Sequence, residues 1–426
     1  MKILFLSHYF PPEGNAPASR VYEMAKRWVA DGHKVDVITC APNVPNGVVY
    51  EGYKNRLRQT EMIDGIRVIR IWTVLAANKG TTMRILNYLS YMVSALFSGL
   101  FVRKPDLVIA TSPQFFCGWA GVMLSRLRRL PFILEIRDIW PESIVAVGAL
   151  QNQRLLHFLE RLKLKMYKAA DHIVTVGQGY ADRLVEQGVP ADKISIVMNG
   201  VDEEIFSPRP ADQELAVRLG VKGRFVCSYI GTIGMACGLG VVLRAAKMLK
   251  DEGRKDICFA IVGDGAVRQE LEAEAKQAQL DNVVFTGRLD KSDIPKVLSI
   301  TDACLVHLKK TDLFKTVMPS KIFEAAGMAK PIIIGVWGFA EQVVMDAQAG
   351  LPMEPENDEE LVDAVLKLAD DPELSKTLGQ SGHKYIMERY NRDDLASKYI
   401  GIIEDTLIAS ANPDYTTQDN PLKESI

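Results

Sequence analysis

The stretch Pro319-Ser320-Lys321-Ile322-Phe323-Glu324-Ala325-Ala326-Gly327 sets a helix start, a cation and a carboxylate side by side. Pro319 and Ser320 can end an irregular segment and cap a helix, whose free N–H groups and positive dipole end suit a phosphate. Lys321 falls in the first turn, where the dipole disfavours a cation unless an anion arrives to pair with it. Glu324, one turn on, can accept hydrogen bonds from the hydroxyls of a ribose or a hexose. Helix starts carrying Lys and Glu are common, so the stretch takes its meaning from what surrounds it.

Those surroundings are short apolar runs alternating with longer segments of helical period, the pattern of parallel strands joined by crossover helices. The first half predicts strands at Lys2 to Ser7, Lys34 to Cys40, Arg67 to Thr73, Asp106 to Ser112, Phe132 to Arg137, His172 to Val176 and Ile194 to Met198. Val21, Met24, Ala25, Trp28 and Val29 recur at helical spacing between the first two, with Gly32 as a stop. The second half predicts strands at Phe225 to Ile230, Cys258 to Val262, Val283 to Gly287, Ala303 to Leu308 and Pro331 to Val336, and helices at Glu359 to Ala369, Leu374 to Arg389 and Arg392 to Ile408. The chain therefore reads as two α/β domains, 1–200 and 201–390, with a segment 391–410 that returns to the first domain as a helix and a polar, frayed tail at 411–426.

Ligands of open parallel sheets bind at the carboxyl ends of the strands. After the first strand stands a loop rich in Pro and Gly, Tyr9 to Pro17, with Gly14 at its centre. In the second domain the strands end in Gly231-Thr232-Ile233-Gly234, Gly263-Asp264-Gly265 and Gly287-Arg288, three turns whose backbones can come close to a ligand and line one nucleotide-sized crevice. None is the three-glycine dinucleotide fingerprint, which disfavours a nicotinamide enzyme. A net charge of −2 argues against nucleic acid as a partner. The six cysteines form no C-x-x-C pair and fall largely in apolar runs, which points to a reducing compartment and no structural zinc. No D-x-D sequence and no His/Cys cluster at ligand spacing occurs, so no metal is indicated. The opening Met1 to Ser7 is signal-like for only a few residues before His8 and Pro11-Pro12, and reads as a strand.

With these motifs in order, the sequence resembles the retaining glycosyltransferases of family 4, which have the two-domain GT-B fold: two Rossmann-like α/β domains with a cleft between them. The resemblance runs from Met1 to about residue 410. It rests on the Pro-Pro-Glu-Gly loop, the run Glu135-Ile136-Arg137-Asp138-Ile139-Trp140-Pro141-Glu142-Ser143, Asn199-Gly200-Val201-Asp202, the glycine turns and the stretch around Lys321. Within the family the chain looks most similar to bacterial O-antigen and capsule enzymes of the N-acetylfucosamine-transferase type, which act on a sugar carried on a polyprenyl diphosphate. The resemblance implies a UDP- or other nucleotide-sugar donor on the second domain, no cofactor, a lipid-linked saccharide acceptor, and opening and closing near residue 200.

Carried over position by position, Glu324 matches the second carboxylate of the family's Glu-x7-Glu motif, which commonly holds the ribose. The first carboxylate falls at Thr316, which implies a donor hexose with an altered polar face. The family's frequent basic pair falls at Thr232 and Cys237, neither charged, leaving Lys321 and Arg288 to neutralise the diphosphate. Where many members have His-Asp, this chain has Arg137-Asp138, and an arginine cannot act as a base at neutral pH. It can stabilise charge or bind an acceptor phosphate through its fork, or it can pair structurally with Glu135 or Asp138. Catalytic candidates are thus Arg137, Asp138 and Glu324, and donor-binding candidates are Gly14, Gly231, Thr232, Gly263, Asp264, Gly265, Arg288, Thr316, Ser320, Lys321 and Glu324. The departures leave two alternatives: a silent nucleotide-sugar-binding scaffold, and a nucleotide-sugar epimerase of the same fold.

Ile85 to Val102 carry no charge. Asn87, three serines, Gly99 and the flanking strands argue against a membrane span. Two readings stand: a crossover helix with its apolar face on the sheet, or a helix whose surplus apolar residues, with Lys79, Arg84, Arg103 and Lys104 at the ends, lie on a membrane surface. The second gives a cytoplasmic protein peripheral on the inner face of the cytoplasmic membrane.

Overall fold

The computed structural model describes residues 1–44, 46–76, 81–112, 114–140 and 153–412. Lys79, the Pro141-Glu142-Ser143 end of the longest motif and the tail from 413 lie outside the described residues. The chain divides into two compact units, one of Met1–Met198 with the segment from Arg392 onward, the other Asn199–Asn391.

In the first unit the strands are β1 (Lys2–Leu6), β2 (Lys34–Cys40), β3 (Arg58–Ile63), β4 (Ile66–Ile71), β5 (Leu107–Thr111), β6 (Phe132–Ile136), β7 (His172–Thr175) and β8 (Ile194–Ile196), in the order β3-β4-β2-β1-β5-β6-β7-β8. All pairs are parallel except β3 with β4. The helices are α1 (Ala16–Ala30), α2 (Thr81–Leu100), α3 (Phe115–Arg128), α4 (Gln153–Ala169) and α5 (Gln178–Glu186), with the last helix of the chain, Arg392–Ala411, returning here. β1 is apolar on both faces because both are covered. Ile3 and Phe5 pack with Val21, Trp28 and Tyr399, while Leu4 and Leu6 pack with Tyr91, Cys117 and Leu124. α1 starts where the Asn15 side chain accepts from Ala18 N at 2.9 Å, and ends at Asp31 before Gly32, whose φ of +86° suits a residue without Cβ.

The second unit holds β9 (Phe225–Ile230), β10 (Ile257–Val262), β11 (Val283–Gly287), β12 (Ala303–His307), β13 (Ile332–Gly335) and β14 (Gly350–Pro352), all parallel in the order β11-β10-β9-β12-β13-β14. Its helices are α6 (Gln213–Arg218), α7 (Gly240–Asp251), α8 (Arg268–Gln277), α9 (Ile294–Ser299), α10 (Lys321–Gly327), α11 (Phe339–Asp346), α12 (Asp358–Asp370) and α13 (Pro372–Tyr390), and the returning helix is α14 (Arg392–Ala411). In this sheet β9 is flanked by β10 and β12, so the strand order reverses beside it; in the first sheet the same happens at β1, between β2 and β5. These are the switch points at which doubly wound folds bind ligands.

The predicted strands are present with ends displaced by a residue or two, and β3 and β14 are additional. β3 reads Arg-Gln-Thr-Glu-Met-Ile, an edge strand too polar to stand out. The six cysteines are all buried and free.

Candidate functional site

Glycine turns and Lys321 meet at the switch point of the second sheet. Lys321 opens α10, and its Nζ lies 3.5 Å from the centroid of the Tyr229 ring on β9. The same Nζ stands 3.3 Å from where a Cβ on Gly231 would be, so a side chain there would crowd the cation. Burial lowers the Lys321 pKa to about 8, against smaller upward pulls from Cys237, Glu324 and Cys304. A partly desolvated ammonium on an aromatic face is a cation in want of an anion. Glu324, partly buried, lines the same recess as Lys321, Ser228 and Cys304.

The glycine turns are close-packed on each other. Gly231 N donates to Val262 O at 2.9 Å, Ile233 N to Asp264 O at 3.0 Å, and Gly263 N to Gly287 O at 3.0 Å. A Cβ on Gly263 would lie 1.9 Å from Gly231 O, and one on Gly265 would lie 2.2 Å from Ile233 O. Close approach to a ligand is therefore not what requires glycine at 263 and 265; backbone meets backbone there. Thr232 is exposed, and its carbonyl accepts from Tyr229 Oη at 2.8 Å, fixing the ring that carries Lys321. Asp264 is exposed, accepts from Gly265 N at 2.8 Å and faces Arg268 at 3.6 Å. Arg288 is exposed directly after Gly287. Thr316 is partly buried at the end of a 3₁₀ turn, Asp312–Thr316, against which Gly338 packs: a Cβ there would lie 2.4 Å from Lys315 O.

Ser320 departs from expectation. Its backbone is already helical, its side chain makes no cap, and α10 has only seven residues, so Lys321 and not a capped dipole supplies the positive charge.

In the first unit, Gly14 is exposed at the carboxyl end of β1, and its neighbour Glu13 anchors the loop. The buried Glu13 carboxylate accepts from Asn43 N at 2.9 Å and Val44 N at 3.1 Å, and burial raises its pKa despite those bonds. Arg137 and Asp138 follow β6. The Arg137 backbone N–H donates to Ser112 Oγ at 2.7 Å and its Nη2 to Ala16 O at 3.3 Å. Of the structural alternatives, Glu135 or Asp138, Glu135 makes its short contacts elsewhere, accepting from Arg20 Nε at 3.2 Å and from Thr111 Oγ1 at 2.8 Å, while its charge still attracts Arg137. Asp138 lines an apolar recess with Ser112, Phe115, Leu134 and Trp140, and its charge helps burial to raise Tyr180 to about 12.

The sequence reading did not single out Arg20, Tyr229 or His8. Arg20 carries a signal, since it lies four residues before Met24 on the apolar face of α1. Tyr229 carries none. His8, caged by Tyr9, Tyr88 and Tyr91 with ring centroids 4.9–5.3 Å away, is held neutral by burial, its pKa about 3.

Among the described residues no group of three His, Cys, Asp or Glu side chains is placed to hold a metal. Residues 15–200 match the family described as glycosyl transferase 4-like domain, and residues 213–385 match glycosyl transferases group 1. An Escherichia coli K12 protein named for colanic acid biosynthesis glycosyl transfer, WcaI, is 27% identical over 351 residues, 80% of this chain and 84% of that one. An Escherichia coli O-antigen chain mannosyltransferase C is 24% identical over 258 residues, 59% of this chain and 65% of that one. The structure of HepE from Anabaena in complex with UDP and glucose superposes with a TM-score of 0.72, covering 95% of this chain and 99% of that one at 17% identity, a likeness of fold. Two Rossmann-like sheets of matching order and two consecutive family matches lead to one conclusion: the chain belongs to the family 4 type of glycosyltransferases and has the GT-B fold.

Proposed function

We propose that the chain transfers a sugar, with retention of configuration, from a nucleotide-sugar donor to a saccharide carried on a polyprenyl diphosphate, in the building of a surface polysaccharide. The observation that carries the donor half is Lys321, a cation sunk against Tyr229 and Gly231 at the sheet's switch point. In support, HepE was solved with UDP and glucose, and two relatives are named for colanic acid and O-antigen synthesis. Lys321 meets the diphosphate, which gains negative charge as the anomeric carbon gains positive character, so a fixed cation stabilises the transition state more than the ground state. Glu324 accepts from ribose hydroxyls, Arg288 adds a cation at the rim, and Thr316 donates to or accepts from the hexose. Gly231, Thr232, Gly263, Asp264 and Gly265 shape the wall, and the unused hydroxyl of Ser320 faces no capping duty. Gly14, Arg137 and Asp138 serve the acceptor side.

Lys321→Ala is expected to lower kcat/KM by roughly ten- to hundredfold, the worth of one charge-assisted contact, with folding little changed. UDP affinity in the unaltered protein is expected to hold below pH 8 and to fall as pH rises through about 8, because the free-state ammonium then loses its proton before an anion can pair with it. Steady-state transfer kinetics check the first and calorimetric titration with UDP at several pH values the second; an unaltered pH profile in Lys321→Ala removes Lys321 from the donor site.

The membrane half rests on α2. Tyr91 and Ala95 face the sheet, while Ile85, Leu86, Val93, Phe97, Leu100 and Phe101 are exposed, with Arg84, Arg103 and Lys104 at the ends. No helix among the described residues is long and apolar enough to cross a membrane. The exposed stripe suits shallow insertion beside anionic headgroups on the cytoplasmic face, each basic residue adding about 1 kcal/mol. Flotation with anionic liposomes is expected to carry the protein upward, and charge reversal with Arg103→Glu and Lys104→Glu to reduce it. Protein that stays at the bottom of the gradient leaves α2 as a crossover helix alone.

A further inference from the structure

Helices α2, α3 and α4 lie side by side on one face of the first sheet, where Tyr91, Ala120 and Met166 share a core with Leu4 and Leu6. They are in close contact: a Cβ on Gly99 of α2 would lie 2.4 Å from the Leu124 side chain of α3, and one on Gly118 of α3 would lie 2.5 Å from Met166 of α4. The outer side of such a layer is expected to be polar. It is not. α3 turns Met123 and Leu127 outward, the latter 63% exposed, and α4 exposes Leu155 and Phe158, which extend the stripe on α2 across the layer. On the opposite face of the same sheet, α1 exposes no large apolar side chain.

Charge on the layer is equally one-sided. The three helices carry eight Lys and Arg, one in α2, two in α3 and five in α4, against a single acid, Glu160, in a chain whose net charge is −2. At about 100° per residue, Arg154, Arg161, Lys165 and Lys168 fall in a strip roughly 60° wide along α4, with Phe158, Leu162 and Leu155 along its border. Leu156, Met166 and Tyr167 point the other way, into the core. All four cations are exposed. A cationic strip edged by apolar side chains suits a surface that offers negative charge above hydrocarbon.

We propose that α4 is the electrostatic half of a docking face whose apolar half is α2 and α3, and that the occupant of this face is an anionic lipid bilayer. This rests on the reading of α2 as a membrane-facing helix and adds a second, separate anchor to it. Charge decides among occupants. A second copy of the chain would bring like cations face to face, and a nucleic acid would leave Met123, Leu127 and Leu155 in water. Stable attachment to a bilayer takes two signals, and here one helix supplies the cations while its neighbours supply the apolar side chains.

Flotation of the full chain with vesicles of phosphatidylcholine alone, and of phosphatidylcholine with phosphatidylglycerol, tests it. The unaltered chain is expected to float far better with the second and to be released by added salt. Arg161→Gln, Lys165→Gln and Lys168→Gln made together are expected to weaken that binding roughly hundredfold, about fivefold for each cation at an anionic surface, with Tm unchanged because all three are exposed. Phe158→Ser is expected to weaken it several-fold without altering its response to salt, which separates immersion of the helix from attraction at a distance. A triple variant that floats like the unaltered chain overturns the place of α4 and leaves the reading of α2 standing; that reading fails separately if Arg103→Glu with Lys104→Glu makes no difference. Equal binding to the two kinds of vesicle overturns the anionic occupant, and a triple variant that runs as a smaller species than the unaltered chain on gel filtration assigns the face to a second copy instead.

Discussion

Arg20→Ala is expected to destabilise the first unit by about 3 to 5 kcal/mol, measured by urea unfolding. Arg20 is 5% exposed on the sheet-facing side of α1 and closes three contacts at once: Glu135 at 3.2 Å through Nε, Met198 O at 2.9 Å through Nη1 and Val197 O at 2.7 Å through Nη2. Truncation leaves Glu135, 1% exposed, without its ion-pair partner and with Thr111 Oγ1 as its remaining hydrogen-bond donor, and strips two carbonyls where the chain leaves β8. Arg20→Lys keeps the charge but cannot span three acceptors, so it is expected to recover a minor part. A loss below about 1 kcal/mol would mean that water or repacking satisfies Glu135.

Gly263→Ala is expected to cost the second unit about 3 kcal/mol or more and to abolish UDP binding with it. Two terms add. At φ +141° an alanine carries about 1 to 3 kcal/mol of backbone strain. Its Cβ would also lie 1.9 Å from Gly231 O, and a backbone carbonyl cannot rotate aside as a side chain does. The turn that would have to yield is the one whose Thr232 carbonyl fixes Tyr229, and through it Lys321, so stability and ligand affinity are expected to fall together. Gly253→Ala separates the terms: φ is +79° with nothing within 4 Å, so strain alone remains. Equal costs at the two positions would show that the contact between turns does not matter.

What could be read from the sequence follows the physics of each residue. Strands buried on both faces are long apolar runs and announce themselves, as β1, β9 and β10 do. β3 does not, because an edge strand with one face in water has no reason to be apolar, and β14, three residues long, is too short to carry a period. Glycine turns were visible as turns, but whether a missing Cβ makes room for a ligand or for another backbone is a tertiary fact, and at Gly263 and Gly265 it is the second. Lys321 was legible as a cation at a helix start. The ring beneath it was not, because a tyrosine in a buried strand resembles any other core aromatic. Ser320 misled because residue type alone does not fix a cap; its backbone had already turned helical.

α14 packs Leu395, Ala396, Tyr399 and Ile403 into the same core as Trp28 and Phe5, and Trp28 Nε1 donates to Ala396 O at 3.1 Å. During synthesis, then, the domain begun first is completed last. Until residues beyond 391 leave the ribosome, α1 presents Trp28 to water, whereas Asn199–Asn391 is contiguous and can fold as soon as it emerges. A nascent chain therefore holds its unfinished half open for the whole time its other half is made, and a premature stop before Arg392 would cost the fold of the amino-terminal half.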